Sequence, residues 1–181
     1  MKVEKTSLDG VLLIKPELVA DGKGEFSTDA RGFFVETYNE LKYKDLGVDI
    51  HFVEDDISIS NKDVLRGIHG NGVTWKLVSC IYGKLFFVVV NCDKESPAFG
   101  KWESFDLNDE NHWCVLVPPM HGNAYLVLSD KAIFQYKQSS YYDQKTQFAY
   151  KWDDSAFNIH WPIENPILSP RDAGTKYIGA Q

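Results

Sequence analysis

Residues 64–69 read Val-Leu-Arg-Gly-Ile-His, and Arg66 with His69 is a pair of residue types that can do chemistry. An arginine can grip a phosphate through two parallel hydrogen bonds, and an imidazole takes up or releases a proton near neutral pH. In a regular strand, side chains three positions apart point to opposite faces. Gly67 lies between them, and a bulge or kink there would turn both toward one cavity. Such a site would hold an anionic substrate and move its protons. The hexapeptide alone equally allows a buried histidine beside a surface arginine.

Four further segments add candidate groups. In Asp29-Ala30-Arg31-Gly32-Phe33-Phe34-Val35-Glu36 a polar turn hands an arginine to an aromatic strand, a combination that suits a phosphorylated ring system. Lys76 is a lone cation in the run Trp75-Lys76-Leu77-Val78, and it either snorkels outward or points into a polar cavity. In Phe134-Gln135-Tyr136-Lys137, alternation puts Phe134 and Tyr136 on one face, where the tyrosine is a structural hydroxyl or a general acid. The proline-bent segment Ile167-Leu168-Ser169-Pro170-Arg171-Asp172 carries a carboxylate that could reach back to a histidine and fix its tautomer. A turn before a core strand, for the first segment, and a capping or surface role for Asp172 remain the plain alternatives.

The elements that must position these groups read as strands. Candidates are 10–15, 33–38, 50–60, 64–69, 76–81, 84–91, 101–107, 112–117, 124–128 and 132–137, short and rich in β-branched and aromatic residues. Tyr82-Gly83-Lys84 reads as a tight hairpin turn. Only 39–46 has helical character, with Asn39 as its cap. The spacing predicts an all-β sandwich or barrel, of which a jelly roll is one form, with residues 166–181 loop-like and wrapped over it. The length of 181 residues, without a linker or repeat, suits a single domain over 1–181.

Composition narrows the partners. A net charge of −7 argues against nucleic acid or an anionic membrane, though a local cluster of cations still permits a nucleotide. Just three residues are arginine (Arg31, Arg66 and Arg171) among 19 basic residues, and each falls in a distinctive segment. Cys80, Cys92 and Cys114 have no zinc-like spacing and sit in apolar runs, as buried thiols do in a reducing cytoplasm. No run is long enough to span a membrane as a helix. The histidines at 51, 69, 112, 121 and 160 are too scattered for a metal-binding cupin, and no Gly-rich phosphate loop or Gly-x-Ser-x-Gly elbow is present.

Taken in order, these segments resemble the dTDP-4-dehydrorhamnose 3,5-epimerase family, cupin-fold nucleotide-sugar epimerases. The resemblance runs from about Val11 to Asp172. Its landmarks are Arg31–Glu36, Val64–His69, Lys76-Leu77-Val78, Lys94–Gly100, Tyr136-Lys137, Tyr141-Tyr142, Trp152-Asp153-Asp154, Trp161-Pro162 and Leu168–Asp172. It implies a cupin barrel and an isomerase acting on a nucleoside-diphosphate 4-keto-6-deoxy sugar, with neither metal nor other cofactor. It implies His69 as base, Asp172 as its orienting partner, Tyr136 as acid and Lys76 as the cation beside the enolate oxygen. Arg66 matches a residue near the diphosphate, and Tyr142 and Arg171 are further substrate-binding candidates. Arg31, Phe34 and Glu36 match a segment that crosses to a partner subunit, which implies a homodimer with exchanged N-terminal segments.

Three departures stand out. The family often reads Phe-x-Gln-Asp-Asn where this chain has Phe52-Val53-Glu54-Asp55-Asp56, so two substrate-binding amides become the acids Glu54 and Asp56. Gly70-Asn71 replace an aromatic and a glutamine after His69. In Pro118–Tyr125, an ungapped match puts Asn123 at the family's second-histidine position and His121 at an aromatic one, so Asn123 is the substrate-binding candidate. The Ile-His-Gly and Trp-Lys-Leu-Val-Ser-Cys patterns resemble a narrower branch acting on GDP-4-keto-6-deoxy-heptoses for bacterial capsules. The resemblance leaves the nucleotide (GDP or dTDP), hexose against heptose, and inversion at carbon 3, carbon 5 or both open. A 3,4-ketoisomerase and a non-catalytic sugar-nucleotide-binding cupin are the rival readings.

Overall fold

The computed structural model describes residues 1–17 and 32–174. It contains β1 (Lys2–Lys5), β2 (Leu12–Lys15), α1 (Glu40–Asp45), β3 (Glu54–Asn61), β4 (Leu65–Asn71), β5 (Lys76–Tyr82), β6 (Lys84–Asn91), β7 (Trp102–Asn108), β8 (Cys114–Val117), β9 (His121–Val127), β10 (Lys131–Gln138) and β11 (Gln147–Ala149). The strands form a six-stranded sheet in the order β1-β2-β8-β5-β10-β3 and a five-stranded sheet in the order β11-β4-β9-β6-β7. Every strand pair within the two sheets is antiparallel.

Three apolar layers hold the sheets. The central one packs Val78, Leu85, Phe87, Phe105, Val115, Tyr125 and Phe134 between the two sheets. A second puts Tyr43 of α1 against Ile14, Leu77 and Leu116 on the outer face of the larger sheet. A third packs Phe157 and Trp161, from the chain after β11, on Ile68, Val88 and Val90. Strands β6, β8 and β9 are therefore covered on both faces, which is why their sequences read as continuous apolar runs rather than alternating ones. Helix α1 is short and well capped: Asn39 Oδ1 accepts from the Lys42 amide at 3.3 Å.

Three expectations change. Tyr82-Gly83-Lys84 is not a hairpin, because β5 and β6 belong to different sheets; Gly83, at φ 79°, turns a corner between them. Residues 33–38 are loop with a single bridge residue, Val35, rather than a strand. The short β1 and β11 carry too few residues to give a readable alternation. After β11 the chain returns across the barrel, as residues 166–174 were expected to do. Val64 and Ile167 form a parallel bridge, with the Leu65 amide donating to the Ile167 carbonyl at 3.0 Å.

Candidate active site

A cavity of about 320 Å³ opens between the two sheets. Its size falls at the lower end of the range for small-molecule sites, roughly 300–1,000 Å³. The smaller sheet contributes Arg66 and His69 from β4 and Asn123 and Tyr125 from β9. The larger sheet contributes Ser58 from β3, Lys76 from β5, and Phe134, Tyr136 and Gln138 from β10. Tyr142, Gln147 and the returning segment with Ser169, Arg171 and Asp172 complete the wall.

The register of β4 explains how Arg66 and His69 meet. Arg66 pairs with Tyr125 and His69 with Asn123, so three steps along β4 oppose two along β9. This extra residue reverses the side-chain alternation and brings both groups to the cavity side. Gly67 sits in the bulge at φ 123°, and a Cβ there would lie 2.6 Å from the Asn123 carbonyl oxygen. Only glycine fits both the conformation and the space.

His69 Nε2 lies 2.7 Å from Asp172 Oδ1. Nε2 is buried and the contact lies off the axis of an ideal N–H···O bond, a common state before substrate binds. Asp172 is 3% exposed and is fixed by the Ser169 hydroxyl, which donates to Oδ2 at 2.7 Å, and by the Gly67 amide, which donates to Oδ1 at 3.4 Å. Burial alone would raise the carboxyl's pKa, but His69, Ser169 and Gly67 outweigh it and hold the pKa below the ordinary value. Asp172 is therefore an anion, and it leaves Nδ1 as the histidine nitrogen able to meet a substrate.

Lys76 Nζ donates to Asn123 Oδ1 at 3.4 Å and stands 6.0 Å from the centre of the Tyr136 ring. Burial, followed by the nearby Arg171 charge, lowers its pKa to about 8. Burial, reinforced by Asp56 and Glu54, raises the Tyr136 phenol to about 12, so it keeps its proton throughout the neutral range. Arg66 Nε donates to Ser60 Oγ at 3.0 Å, and the Tyr125 hydroxyl joins Ser58 Oγ at 2.6 Å and Ser60 Oγ at 3.3 Å. This hydroxyl chain locks the guanidinium at one end of the cavity.

Of the residues singled out from sequence, His69, Asp172, Tyr136, Lys76, Arg66, Asn123, Tyr142 and Arg171 line this one cavity. Glu54 and Asp56 stand behind the wall and reach it through Gln138 and through the Tyr142 amide, which donates to Glu54 Oε2 at 3.0 Å. Phe34 and Glu36 do not line it. Phe34 is 68% exposed, and Glu36 Oε1 pairs with Lys42 Nζ at 2.7 Å. Arg31 lies outside the described residues. His121 does not line the cavity and has Nδ1 3.1 Å from the Pro119 carbonyl, while Asn123 takes the cavity position. Sequence reasoning missed Ser58, Tyr125 and Gln138, whose signal was alternation along β3, β9 and β10 toward the same face as the chemistry, and Gln147, which opens the three-residue β11 and left no such signal. Among the described residues no group of three or more His, Cys, Asp or Glu could hold a metal ion.

A two-sheet barrel with an imidazole–carboxylate pair facing an ammonium and a phenol defines a cupin-type fold with a cavity equipped for acid–base chemistry. The model of the dTDP-4-dehydrorhamnose 3,5-epimerase family matches residues 5–179. A dTDP-4-dehydrorhamnose 3,5-epimerase of Shigella flexneri is 37% identical, covering 99% of this chain and 98% of its own. A dTDP-4-dehydrorhamnose 3-epimerase of Streptomyces niveus is 32% identical over 95% of this chain and 81% of its own. The solved dTDP-6-deoxy-D-glucose-3,5-epimerase of Legionella pneumophila, in complex with dTDP-4-keto-L-rhamnose, superposes with a TM-score of 0.86. It is 34% identical and covers 96% of this chain and 90% of that one. The chain belongs to the dTDP-4-dehydrorhamnose 3,5-epimerase family, and it is an isomerase.

Proposed function

We propose that this protein is a cofactor-independent epimerase of a dTDP-linked 4-keto-6-deoxy hexose, inverting the carbons that flank the ketone. The observation that carries the reading is the 2.7 Å contact of His69 with Asp172 in a cavity that also holds Lys76 and Tyr136. The ketone acidifies the hydrogens on both neighbouring carbons. His69 Nδ1 removes one as a proton, and the electron pair moves through the carbon–carbon bond to the ketone oxygen, giving an enolate. Asp172 stabilises the imidazolium through Nε2. The Lys76 ammonium offsets the charge that develops on oxygen, an electrostatic contribution usually among the largest in catalysis. Tyr136, carried by the opposite sheet, returns a proton to the other face of the carbon, and the carbonyl re-forms. Arg66 serves the diphosphate.

The relatives' names support the dTDP-hexose over the GDP-heptose resemblance, and the presence of a 3-epimerase among them makes the choice of carbons a property to be measured. Incubation with dTDP-4-keto-6-deoxyglucose in deuterated water should place deuterium at carbons 3 and 5, read by NMR. His69→Ala should abolish both exchanges. Exchange that survives in His69→Ala excludes this residue as the base, and a product with a moved ketone identifies a ketoisomerase instead. GDP-linked 4-keto sugars in the same panel decide the nucleotide.

A further inference from the structure

Gln138 closes β10 and, by register, lies beside Glu54 of β3 on one side and Lys76 of β5 on the other. It is 3% exposed and lines the cavity. Its Nε2 donates to Glu54 Oε1 at 2.6 Å and to Asp56 Oδ2 at 3.0 Å. Burial and the adjacent Glu54 raise the Asp56 pKa, so the two carboxyl groups hold a proton between them more readily than separate ones would. The oxygens each turns to Gln138 accept its Nε2 hydrogens, which sets the nitrogen end of the carboxamide on that side. The carbonyl oxygen is thereby turned the other way. No hydrogen bond to it is found among the described residues, and the residue lines the cavity. A nearly buried amide oxygen without a partner is costly, and a ligand that donates to it removes that cost.

Its place along the cavity limits what that donor is. Ser60, which holds Arg66, and Glu54, which holds Gln138, are at opposite ends of β3. At about 3.4 Å per residue this separates them by roughly 20 Å. The carbonyl oxygen therefore stands far from the guanidinium that suits a diphosphate and next to Lys76 and Tyr136. An acceptor in that position repels phosphate and ketone oxygens and attracts hydroxyl hydrogens.

We propose that Gln138, held by Glu54 and Asp56, is a specificity-determining residue that accepts a hydrogen bond from a hydroxyl of the bound sugar. The inference rests on the nucleotide-sugar reading above and adds the group on the sugar that is selected. The family pattern has amides where this chain has Glu54 and Asp56, and amides could not fix the carboxamide in this way.

The test is calorimetric binding to the full chain with two probes, dTDP and dTDP-glucose, of which only the second carries a sugar. Gln138→Leu should weaken dTDP-glucose about tenfold and leave dTDP unchanged. The double variant Glu54→Gln/Asp56→Asn, which keeps side-chain size but lets the amide turn over, should also weaken dTDP-glucose alone. Should Gln138→Leu fail to fold, the double variant carries the decision. Equal loss for both probes, or no loss for dTDP-glucose, overturns the assignment of Gln138 while leaving the nucleotide-sugar reading in place. Wild-type protein that binds neither probe overturns that reading, and this inference with it.

Discussion

Lys76 shows how much a single side chain can cost and contribute. Its ammonium is surrounded by buried groups and by the Arg171 charge, and its pKa falls from 10.5 to about 8. Since the proposed role requires the charged form, kcat/KM should fall as pH rises through about 8. In Lys76→Met that limb should vanish, with a residual rate about 10²–10³-fold lower. The stability effect has the opposite sign. Below pH 8 the folded state carries a desolvated charge that the unfolded chain does not. Between about 8 and 10.5 the folded state sheds its proton first, so stability from this group rises with pH. Lys76→Met should therefore be more stable than wild type at pH 7 by about 1–3 kcal/mol, with a smaller advantage at pH 10, as measured by denaturant melts. Sequence alone left Lys76 free to snorkel outward. What turns it inward is its register against Gln138 and Val117 in the sheet, a tertiary fact that no local pattern records.

At the scale of elements, the bulge in β4 decides whether Arg66 and His69 share a cavity. That was legible from the sequence, because a glycine between two groups of odd spacing is the signature of a strand that changes face. The neighbours that make glycine necessary at its centre, Ala124 and the Asn123 carbonyl in β9, were not legible. Gly67→Ala should destabilise by about 2–4 kcal/mol and reduce turnover more than the loss of folded protein explains, measured by thermal melts alongside kcat. The strand cores were well marked by β-branched and aromatic runs. The corner at Gly83 was misread because a two-strand turn within a sheet and a corner between sheets use the same glycine chemistry. Only the pairing partners of β5 and β6 distinguish them.

At the scale of the whole molecule, the outer side of β3 is unusual. This strand ends the larger sheet, and Ile57 and Ile59 on its outward face are 61% and 56% exposed. Phe33 and Phe34 add two more exposed rings at 52% and 68%. A monomer rarely leaves such apolar groups near a sheet edge without cover. These are surfaces that the homodimer implied by the family resemblance would bury, with residues around Phe34 and Glu36 approaching the partner's cavity. Wild-type protein should elute as a dimer in size-exclusion chromatography with light scattering. Ile57→Glu/Ile59→Glu should shift it toward monomer, and an unchanged dimer would remove this face as the interface.

In the proposed mechanism the proton acceptor and the proton donor ride on different walls of the barrel, His69 on one sheet and Tyr136 on the other. Between the walls lie Phe87 and Phe134, with ring centres 5.8 Å apart. A change of girth in such a spacer slides one wall past its neighbour and re-aims donor against acceptor, with both left intact. Stereochemical outcome, one centre inverted or two, is thus open to adjustment from the hydrophobic filling, including Phe87, which does not itself line the cavity.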